Sequence, residues 1–323
     1  MGLVFAVAHA AHASSVTCTN AGDLQTALNS AVNILTVSGT CTSASSPFLV
    51  TTPNLVIDGG GSGIVKDQFL IAAAGVTIKN FIINGSSPAS GAGVAIVILP
   101  GASAIVSNTN INTWTGDGID VYGGGSLAIA GGAGAIIDAS GGSGIYFRPG
   151  SSGSVGYVPT NTGLNAEINI TSNAVGVTVD ADAAVVFLLP ELQQNHNAGL
   201  VVVRNAAVEL IGGLVENNQA DGIDVSDGAT LVFNSSDLGA SGTATVISSN
   251  HGVGIALTDA TLDMDKANIT DNLGDGIDAS VGSSVTINGG TISANDGGGI
   301  NVSHSVVKLR GGLTVSGNSG GPP

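Results

Sequence analysis

The stretch Asn250–Asp278 reads NHGVGIALTDATLDMDKANITDNLGDGID. It holds one repeat of the chain and the start of the next. Gly254 opens the run Ile255-Ala256-Leu257-Thr258, in which large aliphatic and smaller residues alternate. Leu262-Asp263-Met264-Asp265 alternates in the same way, and a third apolar run is centred on Ile269. Asn272 then stands four residues before Gly276, as Asn250 stands four before Gly254. Alternation with period two marks strands that bury one face.

The pattern extends in both directions. The phrase Asp-Gly-Ile-Asp occurs at Asp117–Asp120, Asp221–Asp224 and Asp275–Asp278, with weaker copies opening at Gly93, Gly144, Gly176, Gly199, Gly254 and Gly299. From Gly93 the glycines are 25, 26, 32, 23, 23, 32, 22 and 23 residues apart, which sets a base period of about 23. The second run recurs at Val208-Glu209-Leu210, Val285-Thr286-Ile287 and Val307-Lys308-Leu309, and the third at Val215, Ile292 and Val315. Hairpins would need paired turn signals at every second strand, and these are missing. Stacked coils, with equivalent strands paired in parallel, satisfy the pattern instead. An Asn also precedes the glycine by four residues at 195, 218, 250, 272 and 295, and by three at Asn173. Amides repeated once per coil predict a stacked ladder at one corner. The glycines there are expected to supply unusual backbone angles.

On these repeats the chain resembles the right-handed parallel β-helix proteins of the pectate-lyase-like (pectin-lyase-fold) superfamily, over roughly residues 45–320. The resemblance implies an all-β fold, a single-stranded right-handed parallel β-helix with three short strands per coil. The period predicts about 11–12 coils. The six-residue period of the left-handed helix is absent. The expected organisation is a truncated signal peptide over 1–13, a cap segment with a short helix over 14–44, the β-helix over 45–318 and a tail over 319–323.

The N-terminal expectations come from local pattern. Leu3 to Ala10 form an apolar run, and Ala11-His12-Ala13 fits a small-x-small cleavage site. An exported chain is expected to join its two cysteines, Cys18 and Cys41, in a disulfide. Leu24, Ala27, Leu28 and Ala31 share one helical face, with Asp23 placed to cap the start. Such a helix would cover the open end of the solenoid.

Composition narrows the function. The chain has 323 residues, 50 of them Gly, and only 9% are charged. Seven basic against 23 acidic residues give a net charge of -16, which excludes a main role on nucleic-acid backbones. Hydrophobic residues at 43% exclude a disordered chain. No uninterrupted apolar segment is long enough for a membrane span.

Chemistry in a solenoid is read across coils, because outward side chains of equivalent strands form columns about 4.8 Å apart. On the first strand the expected outward column is Ala95, Asp120, Tyr146, Thr178, Val201, Asp224, Ala256, Asp278, Asn301. Two residues on, it is Tyr122, Arg148, Asp180, Val203, Ser226, Thr258, Ser280, Ser303. Asp120, Tyr122, Tyr146, Arg148 and Asp180 therefore meet on three neighbouring coils. The long segment 149–166 is expected to wall one side and bring in Tyr157. Aromatic faces with a few polar groups suit sugar rings, so these six residues are the candidate glycan-binding set, and Asp120, Tyr146, Arg148 and Asp180 are the candidate catalytic groups. The competing reading has Arg148 merely neutralising Asp120 or Asp180. Asp263 and Asp265 are candidate Ca²⁺ ligands, with Lys308 and Arg310 in the same outward columns two coils on. The resemblance also invites a match of Asp117 or Asp221, with His251, to the acid residues and histidine of polygalacturonases. No Asp-Asp pair and no Arg-x-Lys completes that set. Trp114 either stacks on a sugar or covers a turn.

These features predict a secreted or surface-displayed β-helix that serves as a structural, adhesive or glycan-contacting rod, with a polysaccharide or cell-surface glycan as partner. The alternatives are a polysaccharide lyase using Ca²⁺-assisted β-elimination on a uronate polymer and, below it, a glycoside hydrolase.

Overall fold

A computed structural model of the chain describes residues 13–30, 33–85, 93–130, 135–138, 140–157, 168–234 and 244–320. The expected signal peptide lies almost wholly outside these residues. Within them the chain winds as a parallel β-solenoid of about twelve turns. First strands of successive coils form one eleven-stranded sheet, in sequence order from Phe48–Val50 to Ile300–Val302. Second and third strands form a nineteen-stranded sheet, in which Thr261–Thr270 and Ser284–Ser293 run unbroken round the corner between the two.

Register follows the alternation. Ile119, Ile145, Val177, Leu200, Ile223, Ile255 and Ile277 pair in series and are all fully buried, as are Val121, Phe147, Val179, Val202 and Val225 beside them. Burying each such side chain contributes roughly 1.5–3 kcal/mol. The register corrects one member of the expected columns. Asp120 pairs with Val97, not Ala95. Ala95 thus takes the place of a corner glycine, and the first apparent spacing of 25 becomes the ordinary 23.

The Asn ladder is present. Each Oδ1 from Asn195 to Asn318 accepts from the backbone N–H and the side-chain amide of the preceding ladder Asn. The second amide hydrogen goes to a third-strand carbonyl one coil back, as from Asn250 to Val215 and from Asn272 to Ile247. Asn195, Asn218, Asn250, Asn272 and Asn295 are fully buried with all these groups satisfied.

The reason for the corner glycines is different from the expected one. Left-handed backbone falls on the residue before each ladder Asn, such as Ser249 (φ 57°) and Asp271 (φ 58°), and not on the glycines. At Gly222 a Cβ would lie 2.8 Å from Asn250 Nδ2, 2.8 Å from Ile247 Cγ2 and 2.7 Å from the Gly254 oxygen. Space, rather than φ, requires glycine there.

At the N-terminal end, Ala13–Cys18 pairs in parallel with Ile34–Cys41, which pairs with Val56–Val65. Parallel strand pairing is therefore already present ahead of residue 45. A helix, Asp23–Leu28, lies between these strands with Leu24 and Leu28 buried; Ala31 is outside the described residues. Its N-cap is Gly22. Asp23 instead accepts the N–H groups of Thr19 (2.8 Å) and Asn20 (2.7 Å), which hold its carboxyl below the usual range. The Gln25 side chain takes both backbone groups of Leu49, on the edge strand of the eleven-stranded sheet. Cys18 and Cys41 form a disulfide between the paired strands, Cα atoms 5.0 Å apart.

Candidate functional site

The outer face of the eleven-stranded sheet carries the expected constellation. Asp120 pairs with Tyr146 and Tyr146 with Thr178, so Tyr122, Arg148 and Asp180 follow as neighbours on three coils. The Arg148 guanidinium lies 5.0 Å from the Tyr122 ring centroid and 4.4 Å from that of Tyr146. Its Nε donates to Asp120 Oδ1 at 2.6 Å, and a terminal nitrogen is 3.8 Å from Asp117 Oδ2. Asp120 is only 2% exposed, so this is a partly buried ion pair.

A second ion pair adjoins the first. Asp180, 1% exposed, accepts the Tyr146 hydroxyl at 2.9 Å and the Ala181 N–H at 2.7 Å. Arg204 grips the same carboxylate through Nε and a terminal nitrogen. Burial pushes the Asp180 carboxyl up, but Arg204, Tyr146 and Ala181 more than offset it, and it stays below the usual range. Burial, and then Asp180, push the Tyr146 hydroxyl up, so it is held as a donor. The Asp120 hydrogen bond strengthens the Arg148 cation.

Two partners lay outside the sequence reading. Arg204 sits in the turn beyond the strand Leu200–Val202, with left-handed backbone (φ 56°), where alternation no longer says where a side chain points. Its separation of 24 residues from Asp180, one coil, was the available signal. Asp117 has a structural task as well, accepting the Ser143 N–H at 2.7 Å. Asp221 accepts Val253 N–H at 2.7 Å, and Asp275 accepts Gly298 N–H. The first Asp of each phrase therefore pins the next coil. His251 is exposed in the turn after Asn250.

Other candidates fare unequally. The Tyr157 side chain and residues 158–167 lie outside the described residues, so the expected wall does too. Asp263 and Asp265 pair with Thr286 and Asn288, and those with Lys308 and Arg310, in the expected columns. Asn288 donates to Asp265 at 3.4 Å. Among the described residues no three His, Cys, Asp or Glu are grouped so as to hold a metal ion, there or elsewhere. Trp114 is 2% exposed and fills the corner against Gly85 at the ladder position, so it covers a turn and is closed to sugars.

No family model matches the chain, and no curated protein sequence does. Solved structures do match. The periplasmic alginate epimerase AlgG superposes with a TM-score of 0.52 at 11% identity, over 87% of this chain and 70% of that one. The fold is the right-handed parallel β-helix. The A-module of the Azotobacter vinelandii mannuronan C-5 epimerase AlgE6 superposes with a TM-score of 0.53 at 13% identity, over 93% of this chain and 95% of that one. At such identities the likeness extends to the fold alone. Among the described residues, no helix is long and apolar enough to cross a membrane.

Proposed function

We propose that this protein is a secreted or surface-displayed β-helix that contacts glycan on the outer face of its eleven-stranded sheet, through Tyr122, Tyr146 and Arg148 with Asp120 and Asp180 behind them. The observation that carries the reading is the guanidinium lying within 5.0 Å of both tyrosine ring centroids, with Tyr122 left 38% exposed. A sugar ring offers an apolar face to such a ring and hydroxyls to the surrounding donors and carboxylates. The fold's appearance in epimerases of alginate and mannuronan supports the reading at the level of scaffold. The disulfide fits an oxidising compartment outside the cytosol.

Binding is favoured over catalysis by the state of the groups. The base for β-elimination must take a proton, which a tyrosine can do only after losing its own, whereas burial and Asp180 push the Tyr146 hydroxyl up and it already donates to Asp180. The test is incubation with a panel of neutral and uronate polysaccharides, reading retention on the polymer, new reducing ends and new unsaturated ends. Retention without either product, lost in Tyr122→Ala, is the expected result. Unsaturated ends would make it a lyase and reducing ends alone a hydrolase; no retention would overturn glycan contact.

A further inference from the structure

We infer that the glycan accepted by this face is a neutral one, and that the face selects against polyuronates. The inference rests on the glycan-contact reading and adds the substrate class.

Charge placement on this face decides the class. A uronate polymer carries one carboxylate per ring and needs spare cations along its path. Here both guanidiniums are committed. Arg148 serves Asp120 and Asp117, and Arg204 serves Asp180, so two cations face three carboxylates. The other five cations are elsewhere. Lys79, Lys266, Lys308 and Arg310 lie on strands of the other sheet, and Lys66 directly follows one.

The columns on either side reinforce this. Toward the N-terminal coils Asp120 is followed by Val97, Leu70 and Leu49, an apolar run buried at Val97, half-buried at Leu70 and 41% exposed at Leu49. Toward the C-terminal coils the same column passes Val201 to Asp224, Ala256 and Asp278. Asp221 and Asp275 stand nearby in the same phrases, and their charges add to burial in pushing the Asp224 and Asp278 carboxyls up. A polymer laid along the rod would thus meet apolar surface, then the two tyrosines beside Arg148, then carboxylates. Uncharged rings gain from the first two and donate hydroxyls to the third. Ionised rings are repelled by the third and find no free cation, on a chain of net charge -16.

The discriminating experiment varies the charge of one polymer. The full chain is titrated with polygalacturonate as the free acid and as its fully methyl-esterified form, with laminarin and mannan as neutral probes, in chelator and again in calcium. Expected is retention of at least one neutral probe, and binding of the esterified polymer at least about tenfold tighter than the free acid at low salt. That gap should shrink as salt rises, because screening weakens exposed charge repulsion. Asp224→Asn with Asp278→Asn, outside the tyrosine and Arg148 site, should narrow it as well. Equal or tighter binding of the free acid in either condition overturns the neutral-glycan inference and leaves glycan contact standing. Retention of none of the four probes overturns both.

Discussion

Arg148 is the residue on which the site turns. Its partner Asp120 is buried, so this is not the exposed ion pair that a solvated face would hold. Removing the arginine strands a buried carboxylate, a loss of about 3–5 kcal/mol for buried pairs, discounted here to about 2–4 because the arginine is 32% exposed. Arg148→Ala is therefore expected to lower the unfolding free energy from urea titration by that amount, and a change under about 1 kcal/mol would mean that the pair is only a surface one. Asp224 gives the opposite sign. Burial raises its carboxyl, and its acidic neighbours add to that. A carboxyl raised by folding favours the fold below its unfolded value and loses that advantage as pH rises through the folded one. Asp224→Asn should then raise Tm at pH 7 and leave it unchanged near pH 3; a gain at both would assign the effect to something other than charge. The constellation around Arg148 was legible because period-two alternation fixes which strand residues point outward. Arg204 was not, since the turn that holds it has no such rule. The state of Tyr146 was hidden too, because its acidity depends on burial and on a partner 34 residues away.

Among the elements, the Asn ladder and its glycine column form one device. Asn250 accepts two hydrogen bonds and donates two, all buried. Asn250→Ala leaves the Asn218 amide and backbone N–H without their acceptor, at about 1–3 kcal/mol for each stranded group. A loss of at least about 2 kcal/mol in denaturant titration is expected, and Asn250→Asp should do no better, lacking the donors. Gly222→Ala drives a Cβ into that amide, into Ile247 and into backbone, an overpacking worth about 1–3 kcal/mol. The ladder was legible because the amides recur at coil spacing. The glycine's reason was not, since a sequence does not reveal whether a glycine serves φ or space. The N-terminal helix was legible from its apolar face, but the Gln25 contact with the Leu49 backbone was not. We propose that the helix closes this end, in which case Gln25→Ala should increase amide exchange in Phe48–Val50; unchanged exchange there would deny it that part.

At the scale of the whole molecule, the repeat decides the architecture and leaves the activity to one face. The base period was readable in glycines and asparagines, apart from Gly93, which lies two residues off the true register at Ala95. The distribution of charge along the rod was not readable, because it needs the register that places Arg148 and Arg204 beside buried carboxylates. The proposed glycan contact is with Tyr122 and Tyr146 on the eleven-stranded sheet. The most direct measurement is calorimetric affinity for the retained neutral glycan in Tyr122→Ala and in Val186→Ser, an exposed position on the other sheet. Loss of one aromatic stacking surface, about 0.5–1.5 kcal/mol, predicts weakening up to roughly tenfold in the tyrosine variant and none in the control. Equal affinity in both variants, or equal loss, would contradict it.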